Sequence, residues 1–125
     1  MAEKPRVLLV EDDAGIRSVM ADVLADEGYE VREAGDGYEA LAVLDRWRPD
    51  LIVLDLMMPN LDGFGFRRAQ RARPDARDIP ILVVTARPSL GAEVEALDAA
   101  AVIPKPFDVD TLVVRVEQAL RGEAA

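Results

Sequence analysis

The stretch LIVLDLMMPNLDG, residues 51–63, decides how this chain reads. Leu51–Leu54 are apolar without alternation, which suits a strand buried on both faces of a parallel sheet. The run stops at Asp55, and the MMPNLDG that closes the stretch is rich in turn formers. A buried strand that ends in a carboxylate and opens into a loop puts charge at the carboxyl edge of a sheet. Three more strand-like runs end the same way: VLLV leads into Glu11-Asp12, ILVV into Thr85, and the short AVIP into Lys105. If these strands lie parallel, three carboxylates, one hydroxyl and one ammonium crowd one edge. That set suits a hard divalent cation and a phosphoryl group.

Outward from residues 51–63 the pattern is strand then helix, five times over. Strands are predicted at Arg6–Glu11, Tyr29–Ala34, Leu51–Asp55, Ile81–Thr85 and Ala101–Pro104. Helices are predicted at about Ala14–Glu27, Gly37–Arg46, Phe64–Arg71, Leu90–Ala99 and Val109–Arg121. In the first helix Ile16, Val19, Met20, Val23 and Leu24 recur at helical spacing and form one apolar stripe, with Asp13 placed as its cap and Gly28 as its stop. Asp108 is placed to cap the last helix, whose Leu112, Val113, Val116 and Leu120 face inward. Trp47 and Phe66 are expected to pack helices on the sheet, Phe107 to anchor the start of the last helix, and Met20 to be core. Strands one, three and four are continuously apolar and belong at the centre; the alternating second strand and the short, proline-ended fifth belong at the edges. Right-handed crossovers then give the order 2-1-3-4-5, an α/β fold with a doubly wound five-stranded parallel sheet. In such sheets the crevice opens beyond the strand carboxyl ends, at the switch between strands one and three, where Glu11-Asp12 and Asp55 fall.

The 125 residues have the size of one domain, expected to cover 1–125 with a core over about 6–121. No signal peptide or membrane-length apolar run is present, so a soluble, cytoplasmic protein with no membrane partner is expected. The chain has no cysteine and no histidine. That excludes thiolate and imidazole metal sites, Ser-His-Asp and Cys-His catalysis, and a phosphohistidine carrier. Any metal must be held by oxygen, which points to magnesium, calcium or manganese. A net charge of −9 argues against direct nucleic-acid binding. The basic cluster Arg67, Arg68, Arg71, Arg73 and Arg77 is read as a solvated helix face and loop.

Glu11, Asp12 and Asp55 at one edge repel one another, and a bound divalent cation removes that conflict. Mg²⁺ suits two or three carboxylates with retained waters and an open position for a phosphate oxygen, and the Met57 backbone carbonyl is a further candidate ligand. Asp55 ends the most central strand and is the candidate nucleophile, forming an acyl phosphate. Lys105 would pair with phosphoryl oxygens as a point charge, and Thr85 would donate its hydroxyl to the same group. Taken singly, each of these residues is an ordinary turn or loop former; the set, in order, is what carries the reading.

VLLVEDD, LIVLDLMMPNLDG, VVTA and PKPF together resemble the receiver domain of two-component response regulators, of the chemotaxis-receiver kind, from Arg6 to about Arg121. The resemblance implies the flavodoxin-like (βα)5 fold, with Asp55 accepting phosphate from a phosphohistidine on a sensor histidine kinase or phosphotransfer protein. It implies Mg²⁺ arranged by Glu11, Asp12, Asp55 and the Met57 carbonyl, and Thr85 and Lys105 as a switch pair. It also implies a cis peptide between Lys105 and Pro106, aiming the lysine into the site. Phosphorylation would then draw in Thr85 and the Ala86-Arg87-Pro88 loop and bias the surface around the fourth helix, fifth strand and fifth helix.

The chain departs from the family pattern on that surface. The span from Thr85 to Lys105 is about two residues shorter than usual, Ala99-Ala100-Ala101 replaces Gly-Ala-Asp, and Val102 stands where an aromatic is usual. Dimerisation through this face is therefore not assumed. Met57 and Arg87 are not suited to orienting an attacking water, so either the phosphoryl group is long-lived or these are ordinary rim residues. No turnover of an external substrate is expected. An aspartyl-phosphate phosphatase or phosphotransferase would need an acid at the Met57 position. The alternative of another class is a phosphorylation-independent pseudo-receiver that only binds partners.

Overall fold

The computed structural model describes residues 3–87 and 91–122. These form strands β1 (Arg6–Val10), β2 (Glu30–Ala34), β3 (Leu51–Asp55), β4 (Ile81–Thr85) and β5 (Ala101–Pro104). Between and after them run helices α1 (Ala14–Asp26), α2 (Gly37–Leu44), α3 (Gly63–Arg71), α4 (Gly91–Glu95) and α5 (Val109–Leu120). All strand pairs are parallel and the order is β2-β1-β3-β4-β5, the predicted α/β topology.

The absence of alternation in the central strands has a direct cause. Leu8, Val10, Ile52, Leu54, Ile81 and Val83 point to one side, where they pack with Trp47 and Phe66 under α2, α3 and α4. Val7, Leu9, Leu51, Val53, Leu82 and Val84 point to the other, against Met20 and Leu24 of α1 and Leu112 and Val116 of α5. Both faces are core, so every position is apolar. The edges differ: Glu30, Arg32 and Glu33 of β2 are exposed, and β5 alternates buried and exposed. Phe107 is half-buried against the α1/α5 cluster, as expected. Trp47 is buried, with Arg32 4.8 Å and Arg6 5.5 Å from its ring.

Four helices start at an aspartate whose carboxylate accepts the N–H three residues on: Asp13 from Ile16 at 2.9 Å, Asp36 from Glu39 at 2.9 Å, Asp62 from Gly65 at 2.8 Å and Asp108 from Thr111 at 2.7 Å. Helices α1, α2 and α5 end one or two residues short of prediction, with Glu27, Asp45 and Arg121 at their C-caps, α3 ends at Arg71 as predicted, and α4 ends at Glu95 instead of Ala99. Of the predicted fourth helix, Leu90 lies outside the described residues. The helix runs over Gly91–Glu95, and the chain then turns through Asp98 at φ +53°.

Two expectations need correction. In α1, Met20 and Leu24 are buried, but Ile16 and Val19 stand 42% and 56% exposed. The apolar stripe therefore outruns the core. The basic cluster is not simply a solvated face. Arg67 is buried, donating from Nε to the Leu97 carbonyl at 3.0 Å and from an Nη to Gln70 Oε1 at 2.9 Å. Arg71 reaches the Ala96 and Leu97 carbonyls at 2.9 and 2.8 Å. The carbonyls after α4 need donors, and α3 supplies them from these two arginines. Arg73 pairs with Asp45 at 2.7 Å, and only Arg68 and Arg77 of the cluster fit the solvated reading.

Candidate functional site

Parallel pairing sends every strand's carboxyl end to one edge. The register sets Leu54 beside Val10, Asp55 beside Val84 and Thr85 beside Pro104. Glu11, Asp55, Thr85 and Lys105 are thus the next side chains out on adjacent strands. Glu11, Asp12 and Asp55 each offer an oxygen, and these oxygens lie within 4.8 Å of one another. Glu11 and Asp55 are buried while Asp12 is exposed. Lys105 Nζ donates to Glu11 Oε1 at 2.8 Å and lies 3.6 Å from Asp55 Oδ2. The predicted carboxylates and the lysine are therefore one cluster.

Backbone groups hold the cluster from several sides. The Asp13 N–H donates to Glu11 Oε2 at 3.2 Å, and the Met57 N–H to Asp55 Oδ1 at 3.3 Å. Thr85 is fully buried; its Oγ1 accepts the Arg87 N–H at 3.0 Å, and its carbonyl accepts the Lys105 N–H at 2.7 Å. The Lys105–Pro106 peptide is cis. Met57 and Arg87 are exposed at the rim. Val102 is 39% exposed on β5, with no aromatic side chain at that position.

Two further residues shape the site without having stood out in the sequence. Arg17, one turn into α1, donates to the Glu11 carbonyl at 2.7 Å and pairs with Glu33 at 3.3 Å. A lone arginine in an amphipathic helix carries no signal of such a role. Gly63 lets the loop after Asp55 fold back on itself, its N–H bonding the Leu56 carbonyl at 2.9 Å. A Cβ there would sit 2.7 Å from Leu56 Cα and 2.8 Å from the Asp55 carbonyl oxygen.

Burial pushes the Asp55 carboxyl up to about 7, with the charge of Glu11 adding to the rise and Lys105 opposing it. Burial works to lower the Lys105 ammonium, but the Glu11 hydrogen bond and the Asp55 and Glu11 charges outweigh it and leave it raised. Two buried carboxylates thus share one cation, an arrangement short of positive charge. The donor set is all hard oxygen and suits Mg²⁺.

An open parallel sheet with an acidic cluster, a hydroxyl and a lysine at its carboxyl edge defines a receiver module. The chain belongs to the response regulator receiver domain family of two-component systems, whose model matches residues 7–117. Among curated relatives it is 46% identical over 118 residues to response regulator MprA of Mycobacterium leprae, covering 93% of this chain and 51% of that protein. Response regulator MprA of Mycobacterium avium is 45% identical over 118 residues, again covering 93% of this chain and 51% of the relative. The chain spans about half the length of the curated relatives it matches. Among solved structures, chemotaxis response regulator CheY4 of Vibrio cholerae superposes with a TM-score of 0.86 at 37% identity, over 92% of this chain and 98% of that one. The receiver domain of Francisella response regulator 1452 gives 0.84 at 30% identity, over 95% and 98%. No helix among the described residues is long and apolar enough to cross a membrane.

Proposed function

We infer that this receiver unit, over about residues 6–121, is a phosphorylation switch in which Asp55 is the phosphoacceptor. The observation that carries the reading is the buried Asp55 carboxylate with Glu11 and Asp12 oxygens within 4.8 Å and Lys105 Nζ at 3.6 Å. Glu11, Asp12, Asp55 and the Met57 carbonyl would hold Mg²⁺, which supplies charge neutralisation for the carboxylates and for phosphoryl oxygens. An Asp55 oxygen attacks phosphorus, its new P–O bond replacing the P–N bond of a donor phosphohistidine. Lys105 pairs with a phosphoryl oxygen, and the Thr85 hydroxyl donates to another while its Oγ1 faces the Arg87 N–H at 3.0 Å. Thr85 and the backbone at Arg87 bonded to it shift with the phosphoryl group. The protein turns over no external substrate and acts through cytoplasmic protein partners. Met57 and Arg87 bring neither carboxylate nor amide to an attacking water, which favours a persistent phosphoryl group.

The chemistry has a simple test. Acetyl phosphate with Mg²⁺ should add one phosphoryl group to the intact mass of the purified chain, and chelation of the metal should prevent it. An unchanged mass in the presence of metal rejects the switch in favour of a partner-binding pseudo-receiver.

The exposed stripe of α1 supports a donor surface. Ile16, Val19 and Met20 line an open groove of about 650 Å³ with Pro106, Phe107 and Val109, and Lys105 lies at its border. A donor must bring its phosphoryl group to Asp55, so apolar surface adjoining Lys105 fits the protein that carries the phosphohistidine. Val19→Glu should slow transfer from a kinase that labels the wild-type chain by roughly tenfold or more. Labelling by acetyl phosphate should be far less affected, because Val19 is 56% exposed and is not one of the residues that would hold metal or phosphoryl group. Equal loss with both donors would place the effect in the site rather than at a docking surface.

A further inference from the structure

The loop between β3 and α3 carries Met57, whose N–H donates to Asp55 Oδ1 at 3.3 Å. At its far end this loop is tied to the start of α2. One carboxylate makes the tie: Asp36 Oδ1 accepts the Glu39 N–H at 2.9 Å and caps the helix, while Oδ2 accepts from Asn60 Nδ2 at 2.8 Å. The Glu39 N–H bond, then the Asn60 bond, hold the Asp36 carboxyl below the usual carboxylate range. Beside it the Gly37 N–H donates to the Leu61 carbonyl at 3.0 Å. The contact is close enough that a Cβ on Gly37 would lie 2.7 Å from that oxygen. Asn60 holds φ +68°, a left-handed backbone that asparagine tolerates better than most residues.

We propose that Asp36 and Asn60 are positioning residues for the metal and phosphoryl site, acting through the β3–α3 loop and the Met57 peptide. This rests on the reading of Asp55 and its neighbours as a Mg²⁺ and phosphoryl site. A loop free at its α2 end would have to be ordered when the cation binds, and the latch removes that entropy in advance. Neither residue is within the acidic cluster, so their effect on metal affinity is indirect.

Two substitutions separate the latch from the local structure each residue also serves. Asp36→Ser keeps a helix-capping oxygen but is too short to reach Asn60. Asn60→Gly removes the amide while easing the left-handed backbone. Titrating Mg²⁺ calorimetrically into the purified chain should show each variant binding about tenfold more weakly. Amides of residues 56–58, 60 and 61 should exchange faster in both. The double variant should bind no more weakly than the weaker single, since both changes delete one bond. Mg²⁺ affinity unchanged to within about twofold in both single variants, or losses that add in the double variant, would overturn the inference alone. Failure of the wild-type chain to bind Mg²⁺ would overturn the proposed site and this inference with it.

Discussion

Asp55→Asn should abolish phosphoryl uptake from acetyl phosphate outright, because the amide cannot act as the nucleophile. The same change should make the metal-free protein more stable at pH 8. The Asp55 carboxyl is pushed up to about 7 by burial and by Glu11, against an ordinary value of 3.8. A raised carboxyl favours folding while it is protonated: its contribution is complete below about pH 4 and is lost as pH climbs through about 7. At pH 8 the folded metal-free wild type therefore carries an ionised carboxylate that it holds at a cost. The amide removes that charge and can still accept the Met57 N–H.

Thermal unfolding in chelator at pH 8 should place Asp55→Asn several degrees above wild type, and the gap should close by pH 4. Saturating Mg²⁺ should reverse the order. The metal binds the wild-type carboxylates and stabilises the fold by mass action, whereas the amide variant has lost one anionic ligand. A variant less stable than wild type in chelator at pH 8 would mean that Lys105 and the Met57 N–H already satisfy the ionised Asp55, and the site would then need no cation.

The sheet was legible because both-face burial leaves an unmistakable mark. VLLV, LIVL and ILVV, short and apolar on both faces, read as buried parallel strands, and the polar residue ending each run marks its carboxyl end. Order followed from which strands were less apolar. The site was legible for the same reason: its members lie at strand ends, where chain position translates directly into place. What could not be read depends on contacts between distant helices. Arg67 is 30 residues from the Leu97 carbonyl it serves, and a run of arginines looks the same whether it faces water or caps a neighbouring helix. Ile16 and Val19 obey helical periodicity as well as Met20 and Leu24 do, but periodicity gives the direction of a stripe and not where the core beneath it stops. The tie between Asp36 and Asn60 spans 24 residues and joins two caps and turns that each read as purely local.

Lys105→Ala should be the most damaging single change to the metal-free fold at this edge. The ammonium lies 2.8 Å from Glu11 Oε1 and 3.6 Å from Asp55 Oδ2, and among the described residues it is the cation paired with both. Removing one member of a buried charge set leaves the others uncompensated, typically at about 3–5 kcal/mol. The cost here depends on pH in a way that identifies its source. Near pH 5 Asp55 is protonated, so only Glu11 loses its partner; at pH 8 both carboxylates are left facing each other. The stability deficit of the alanine variant should therefore widen from pH 5 to pH 8, and Mg²⁺ should narrow it by supplying the missing charge. Lys105→Arg gives the chemical counterpart. It restores a cation and much of the stability, but its planar fork does not reproduce a point charge aimed between Glu11 and Asp55. Labelling by acetyl phosphate should then stay slow, on the order of 10- to 100-fold below wild type, matching the loss of one charge-assisted hydrogen bond to the phosphoryl group. A deficit that is flat with pH, or untouched by Mg²⁺, would show that Lys105 matters through packing and not as the counter-charge of the two buried carboxylates.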